Sequence, residues 1–282
     1  IHHIRAQWHR ANLPGRDSWQ PPLPTEFLAE EAYKNKIRAA RDISKQAEKE
    51  VRNEYKLIGE YYAWVRKRDS VTGADLDIWS KKVEQKRQQI EDHVVNGTVA
   101  NYGYEETTLP VGRKRTALEE LIRWRLWNRT GGGLMAELGS HQLDAASIFI
   151  SAQSEGRKKV MPLSVTGVGG RHIFPADRDV DDHGYTMYEF PGRGYFADDK
   201  QQEVADPNKK IVVTYSSING NDFGGYGEVV LGTEGTLILE REKDVMLYKK
   251  SETQTKISVK DGDDGPALDT YETGGGMAAV IA

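Results

Sequence analysis

Glu137, His141 and Asp144 stand four and then three residues apart in Thr130-Gly131-Gly132-Gly133-Leu134-Met135-Ala136-Glu137-Leu138-Gly139-Ser140-His141-Gln142-Leu143-Asp144. On an α-helix that spacing puts all three side chains on one face. A carboxylate one turn from a histidine orients the imidazole and favours its protonated form, which suits a base that takes a proton from a substrate hydroxyl. Three glycines ahead of the helix let backbone approach a ligand closely and leave N–H groups free at the positive helix end. Gly139 inside the helix costs roughly 1 kcal/mol relative to Ala, so some neighbour must crowd against it. The same spacing also suits an amphipathic core helix with solvated acids and a packed histidine. A metal site is disfavoured, because the stretch has a single His and no His-Glu-x-x-His pair.

The elements that must position this segment can be read on either side of it. Residues 1–32 read as a strand, Ile1 to Trp8, followed by a loop broken by Pro14, Pro21, Pro22 and Pro24. From 33 to 95 a helical seam runs through Ile37, Ala40, Ser44, Ala47, Val51, Ile58, Tyr61 and Val65, interrupted at Glu54. It resumes at Leu76, Trp79, Val83, Ile90 and Val94. Thr72 and Asp75 have capping-box spacing at the break, so the segment is expected to be an inserted helical hairpin. Between Tyr33 and Val95 there are 15 Lys/Arg and 11 Asp/Glu, the mixture of a solvated helix face. A short helix over Thr116–Trp127 leads to the glycine run, and a second helix covers 134 to about 150. Strands are expected at 164–174, 184–190, 210–218, 225–231, 236–240, 245–249 and 255–259, forming an open, largely antiparallel sheet. Helices early and strands late make this an α+β chain, with 1–32 and 96–282 as one domain and helices on one face of the sheet.

Composition narrows the functions available. Hydrophobic residues make up 38% and charged residues 29% of 282, enough for a sizeable core. A net charge of −4 argues against a nucleic-acid surface, and no apolar run reaches membrane-span length. There is no signal-peptide pattern, and the lack of cysteine rules out thiolate chemistry while leaving the compartment open. No dinucleotide fingerprint is visible. Gly167-Val168-Gly169-Gly170 and Gly224-Gly225-Tyr226-Gly227 both lie in strand-like runs without the helix that a pyrophosphate site needs. The chain starts at Ile1 in a strand and stops after Gly274-Gly275-Gly276 at what reads as a helix start, so it is expected to be a piece of something longer. Arg123, Trp124, Arg125 and Trp127 read either as the wall of a sugar pocket or as a helix with its indoles in the core.

Gly-Gly-Gly-x-x-x-Glu-x-Gly-x-His-x-x-Asp resembles the motif of the glucose–fructose oxidoreductase / inositol dehydrogenase / rhizopine-catabolism family. Arg5-Ala6-Gln7-Trp8-His9-Arg10 is similar to the first strand of that family's C-terminal domain. Val180-Asp181-Asp182-His183, Tyr188-Glu189-Phe190-Pro191-Gly192 and Gly232-Thr233-Glu234-Gly235-Thr236-Leu237 resemble its later turns. The resemblance covers about 1–12 and 117–240. It implies the C-terminal half of an NAD(P)-dependent oxidoreductase acting on a hydroxyl of a sugar or polyol, with His141 as general base and Glu137 as its partner. It places His9 at a substrate hydroxyl; Trp8, Asn12 and Asp144, with Arg125 from the Arg/Trp run, are the other candidate substrate contacts, and Gly132 and Gly133 are candidate contacts to the cofactor, NAD or NADP. It also implies a homo-oligomer formed through the open sheet. The chain departs from the pattern in carrying Glu137 where many members have Asp, in Ala11 separating Arg10 from Asn12, and in the 33–95 insertion. The family's N-terminal nucleotide-binding domain and its Glu-Lys-Pro turn do not occur in this chain, so the chain alone is expected to be inactive. Two other readings remain open: a relative that retains NAD while cleaving glycosides, and a non-enzymatic binding or oligomerisation module.

Overall fold

The computed structural model describes residues 1–154, 158–198 and 203–249, and the backbone of strands 258–262 and 265–269. The expected strand at 255–259 lies partly, and the expected helix start after Gly276 wholly, outside the described residues. Strand β1 spans His3–Arg10, followed by helices α1 (Glu30–Ile43), α2 (Lys45–Glu54), α3 (Lys56–Asp69) and α4 (Ala74–Glu91). A two-residue ladder of β2 (Thr107–Thr108) and β3 (Lys114–Arg115) precedes α5 (Ala117–Ile122) and α6 (Ser140–Ser151). Next come β4 (Ser164–Gly170), β5 (His183–Pro191), β6 (Lys210–Asn219), β7 (Tyr226–Leu231), β8 (Gly235–Glu240) and β9 (Asp244–Lys249). The last two strands, β10 (Ser258–Gly262) and β11 (Gly265–Asp269), pair only with each other among the described residues. The chain is α+β and divides into two compact units, 1–11 with 138–169 and 183–282, and 12–137 with 170–182.

The first unit is built on a seven-stranded sheet ordered β4-β5-β6-β1-β7-β8-β9. β1 runs parallel to β6, whereas β5–β6, β1–β7, β7–β8 and β8–β9 are antiparallel. Side chains alternate across a strand, so each strand has one inward set. In β6 the alternation is complete, with Ile211, Val213, Tyr215, Ser217 and Asn219 buried and the residues between them half-exposed. Ile4, Val213 and Val230 share the inward face and pack with Ala146 and Ile150 of α6, so this helix covers one side of the sheet.

The second unit holds the helices ahead of α6. Ile37, Ala40, Leu57, Ile58, Val83 and Ile90 are buried, while Leu76 and Val94 of the expected seam stay exposed. The seam is not one helix. Ser44 turns extended (φ −169°, ψ 160°), ends α1 and caps α2 by accepting the N–H of Ala47 at 3.0 Å. Tyr55 makes the second break, next to the expected interruption at Glu54. The expected Thr72/Asp75 capping box does not form. Gly73 at φ 63° turns the chain directly into α4, and no side chain among the described residues caps that helix.

Candidate functional site

Three glycines open the motif segment, and the N–H groups of the first two are not free as expected. Gly131 and Gly132 both donate to the carbonyl of Trp127, at 2.8 and 3.3 Å. A Cβ on Gly131 would come within 2.9 Å of the Trp124 carbonyl oxygen. Gly132 and Gly133 have φ of 67° and 80°, so the run is a tight turn that only glycine makes without strain. The segment then makes a π-turn over Met135–Gly139 before continuing as α6. Such single π-turns occur frequently at functional sites.

Glu137 is engaged by a residue other than His141. Its Oε1 accepts from Arg125 Nε at 2.6 Å, and its Oε2 is buried without a partner among the described residues. The Arg125 guanidinium also lies over the Trp124 ring, 4.3 Å from its centroid. Glu137 therefore anchors Arg125, and that ion pair holds the carboxylate expected to orient the imidazole. Trp127 is fully buried beneath the Arg115 guanidinium, which makes it a core residue. Asn12 is buried, its Oδ1 accepting from Ser18 Oγ at 2.8 Å and its Nδ2 without a partner among the described residues.

In the other unit, α6 packs through Gln142, Ala146 and Ile150, which are buried, while His141, Asp144 and Ile148 are exposed. The exposed three follow at i, i+3 and i+7 and share one solvent-facing side of the helix. The His141 ring stands 6.4 Å from that of Trp8 with a 45° tilt, and Trp8 is stacked on Tyr226 at 4.2 Å and 9°. Trp8 and Tyr226 are register partners at the ends of β1 and β7, on the same face as Ile4 and Ala6. His9, one residue on, points to the opposite face, and both its ring nitrogens are engaged. Nδ1 meets the Phe223 carbonyl oxygen at 2.9 Å and must donate, which leaves Nε2 to accept from Ser216 Oγ at 2.9 Å. The two-residue period of a strand thus separates His9 from the Trp8 side, where His141 stands.

Two residues beside α6 carry no signature in the motif. Tyr215 is buried on β6, and a methyl group on Gly139 would overlap its hydroxyl and ring, which identifies the neighbour crowding that glycine. Glu228 pairs in register with Ala6 and is only 4% exposed, with Oε1 lacking a partner among the described residues. Burial, with the charge of Glu242 adding to it, pushes its carboxyl up to about 7. The signal in the sequence is the alternation Tyr226, Glu228, Val230, which puts an acid at an inward position of β7.

The glycine-run N–H groups at 131 and 132 are committed to Trp127, and the other two glycine stretches lie in or feed strands. Among the described residues there is no strand–glycine turn–helix cradle for a dinucleotide's phosphates.

No family model and no curated protein matches the chain. Among solved structures it is similar to a levoglucosan dehydrogenase in complex with NADH and levoglucosan, with a TM-score of 0.31 and 17% identity. That similarity covers 51% of this chain and 32% of the other, so the chain spans about a third of that protein's length.

Proposed function

We propose that this chain is the substrate-binding and catalytic part of an NAD(P)-dependent oxidoreductase that acts on a hydroxyl of a sugar or polyol-like compound. The observation that carries the reading is the placement of His141. Its imidazole is exposed and makes no hydrogen bond among the described residues, on a helix packed against the sheet and beside the Trp8–Tyr226 stack. A base for a substrate hydroxyl needs this availability, since a ring nitrogen already bonded within the protein cannot take the proton. The exposed Asp144 on the same helix side supplies an acceptor for a further hydroxyl, and the indole of Trp8 offers an apolar face to a sugar ring's C–H groups. Arg125, in the second unit, is held in place by Glu137.

NAD or NADP would accept the hydride when bound. The described residues do not fit the task of holding its phosphates, so that task falls to residues outside them. The chain's own part is the proton: His141 takes it from the hydroxyl as the C–H bond of the same carbon is broken.

The test is binding first. Titrating a panel of monosaccharides and polyols into the chain is expected to shift the Trp8 indole N–H and His141 ring resonances together. A panel that moves neither would sink the proposal. In the enzyme with its nucleotide-binding part in place, His141→Ala is expected to lower turnover by roughly 10²–10⁴-fold.

A further inference from the structure

Gly139 is the last residue of the π-turn and lies two residues before His141. It is buried against Tyr215, and the space a Cβ would need is occupied by the phenol hydroxyl and the ring carbon that bears it. Tyr215 is itself buried, on the inward face of β6, in register with Ala6 of β1. Contact with a rigid aromatic ring on a central strand allows the helix only one height above the sheet. The π-turn matters for a related reason. It places one extra residue in the turn, so the helix face that leads into Gly139 and the face that leaves it are rotated relative to each other. From Gly139 onward, Ala146 and Ile150 pack on the inward face of the sheet and the exposed His141 comes next to Trp8.

We infer that Tyr215 is a positioning residue: by packing on Gly139 it fixes the height and rotation of α6, and so where the His141 imidazole stands beside Trp8. The consequence for catalysis rests on His141 being the base. The packing of Tyr215 on Gly139 does not. A helix glycine is ordinarily a weak point, and here the close approach offsets the intrinsic preference for alanine.

The experiment is a double-mutant cycle on the full 282-residue chain, read by thermal melting and by the His141 ring-proton resonances. Those resonances are assigned by their loss in His141→Ala, and their displacement by the indole is measured with Trp8→Leu. Gly139→Ala is expected to lower the melting temperature and to move the His141 signals toward their positions in the Trp8→Leu variant. In a Tyr215→Leu background the same Gly139→Ala change is expected to raise the melting temperature, because the added methyl then has room and alanine is the better helix former. Two results would overturn the inference: an equal loss in both backgrounds, or His141 resonances that stay in place in Gly139→Ala. Should His141→Ala leave turnover unchanged, the oxidoreductase reading fails while the cycle still decides the role of Tyr215.

Discussion

A carboxyl group buried with an oxygen left unpartnered is tolerable in its neutral form, and Glu228 is such a group among the described residues. Its titration is lifted from the usual 4.5 to about 7 by burial first and by Glu242 second. The sign of the effect on stability follows. The unfolded chain ionises at the lower value and the folded chain at the higher, so the contribution of the neutral carboxyl is complete below pH about 4.5. It is lost as the pH rises toward and through about 7. We expect the melting temperature to fall between pH 5 and pH 8, and Glu228→Gln to flatten this dependence. A slope unchanged in that variant would assign the pH effect to other groups. Arg125 makes a second prediction at this scale. Arg125→Ala leaves the half-buried Glu137 carboxylate unpaired and should cost about 1–3 kcal/mol by chemical denaturation, whereas losing an exposed ion pair costs little.

Helix boundaries follow from local hydrogen bonding wherever a side chain does the work. Ser44 and Thr116 each accept the N–H of the residue three positions on, from Ala47 at 3.0 Å and Glu119 at 3.1 Å. Ser44→Ala and Thr116→Ala should each lower stability by about 0.5–2 kcal/mol, measured by urea unfolding. Thr116→Ala has the larger expected effect, because α5 carries the buried Glu119 and Glu120 with their arginine partners. Thr72 has the right spacing from Asp75 for the same device and does not use it. Gly73, at a φ only glycine adopts easily, takes the chain into the helix before the hydroxyl can reach an N–H. The strands were more legible than the helix ends: β5, β6, β7, β8 and β9 begin and end within a residue of where their β-branched and aromatic runs and the breaks between them predict, while β4 stops at Gly170, short of the expected 174.

At the scale of the molecule, the sheet has one face under α6 and another that the helix does not cover. On that second face a hollow is lined in part by Arg5, Gln7, Tyr185, Met187, Thr214 and Ser216, with Tyr185 and Met187 39% and 46% exposed. The homo-oligomer that the resemblance implies through the open sheet would use this face, with the same patch on both copies across a two-fold axis. Sedimentation should show a dimer that Met187→Glu converts to monomer; a monomeric parent chain would end this proposal.

By itself, the sequence determined the α+β class, most of the strands, and the motif face shared by His141 and Asp144, because these depend on composition and periodicity along a single element. It also implied that something crowds Gly139, since a helix glycine is otherwise costly. Only the tertiary structure decided which residues meet across elements. Arg125 took the carboxylate of Glu137, and Phe223 and Ser216, from segments far along the chain, took the two ring nitrogens of His9. The same packing brought Tyr215 to Gly139 and buried Glu228 against the sheet's inward face. Each depends on register and packing between separate segments of the chain, and spacing along one segment carries no record of either.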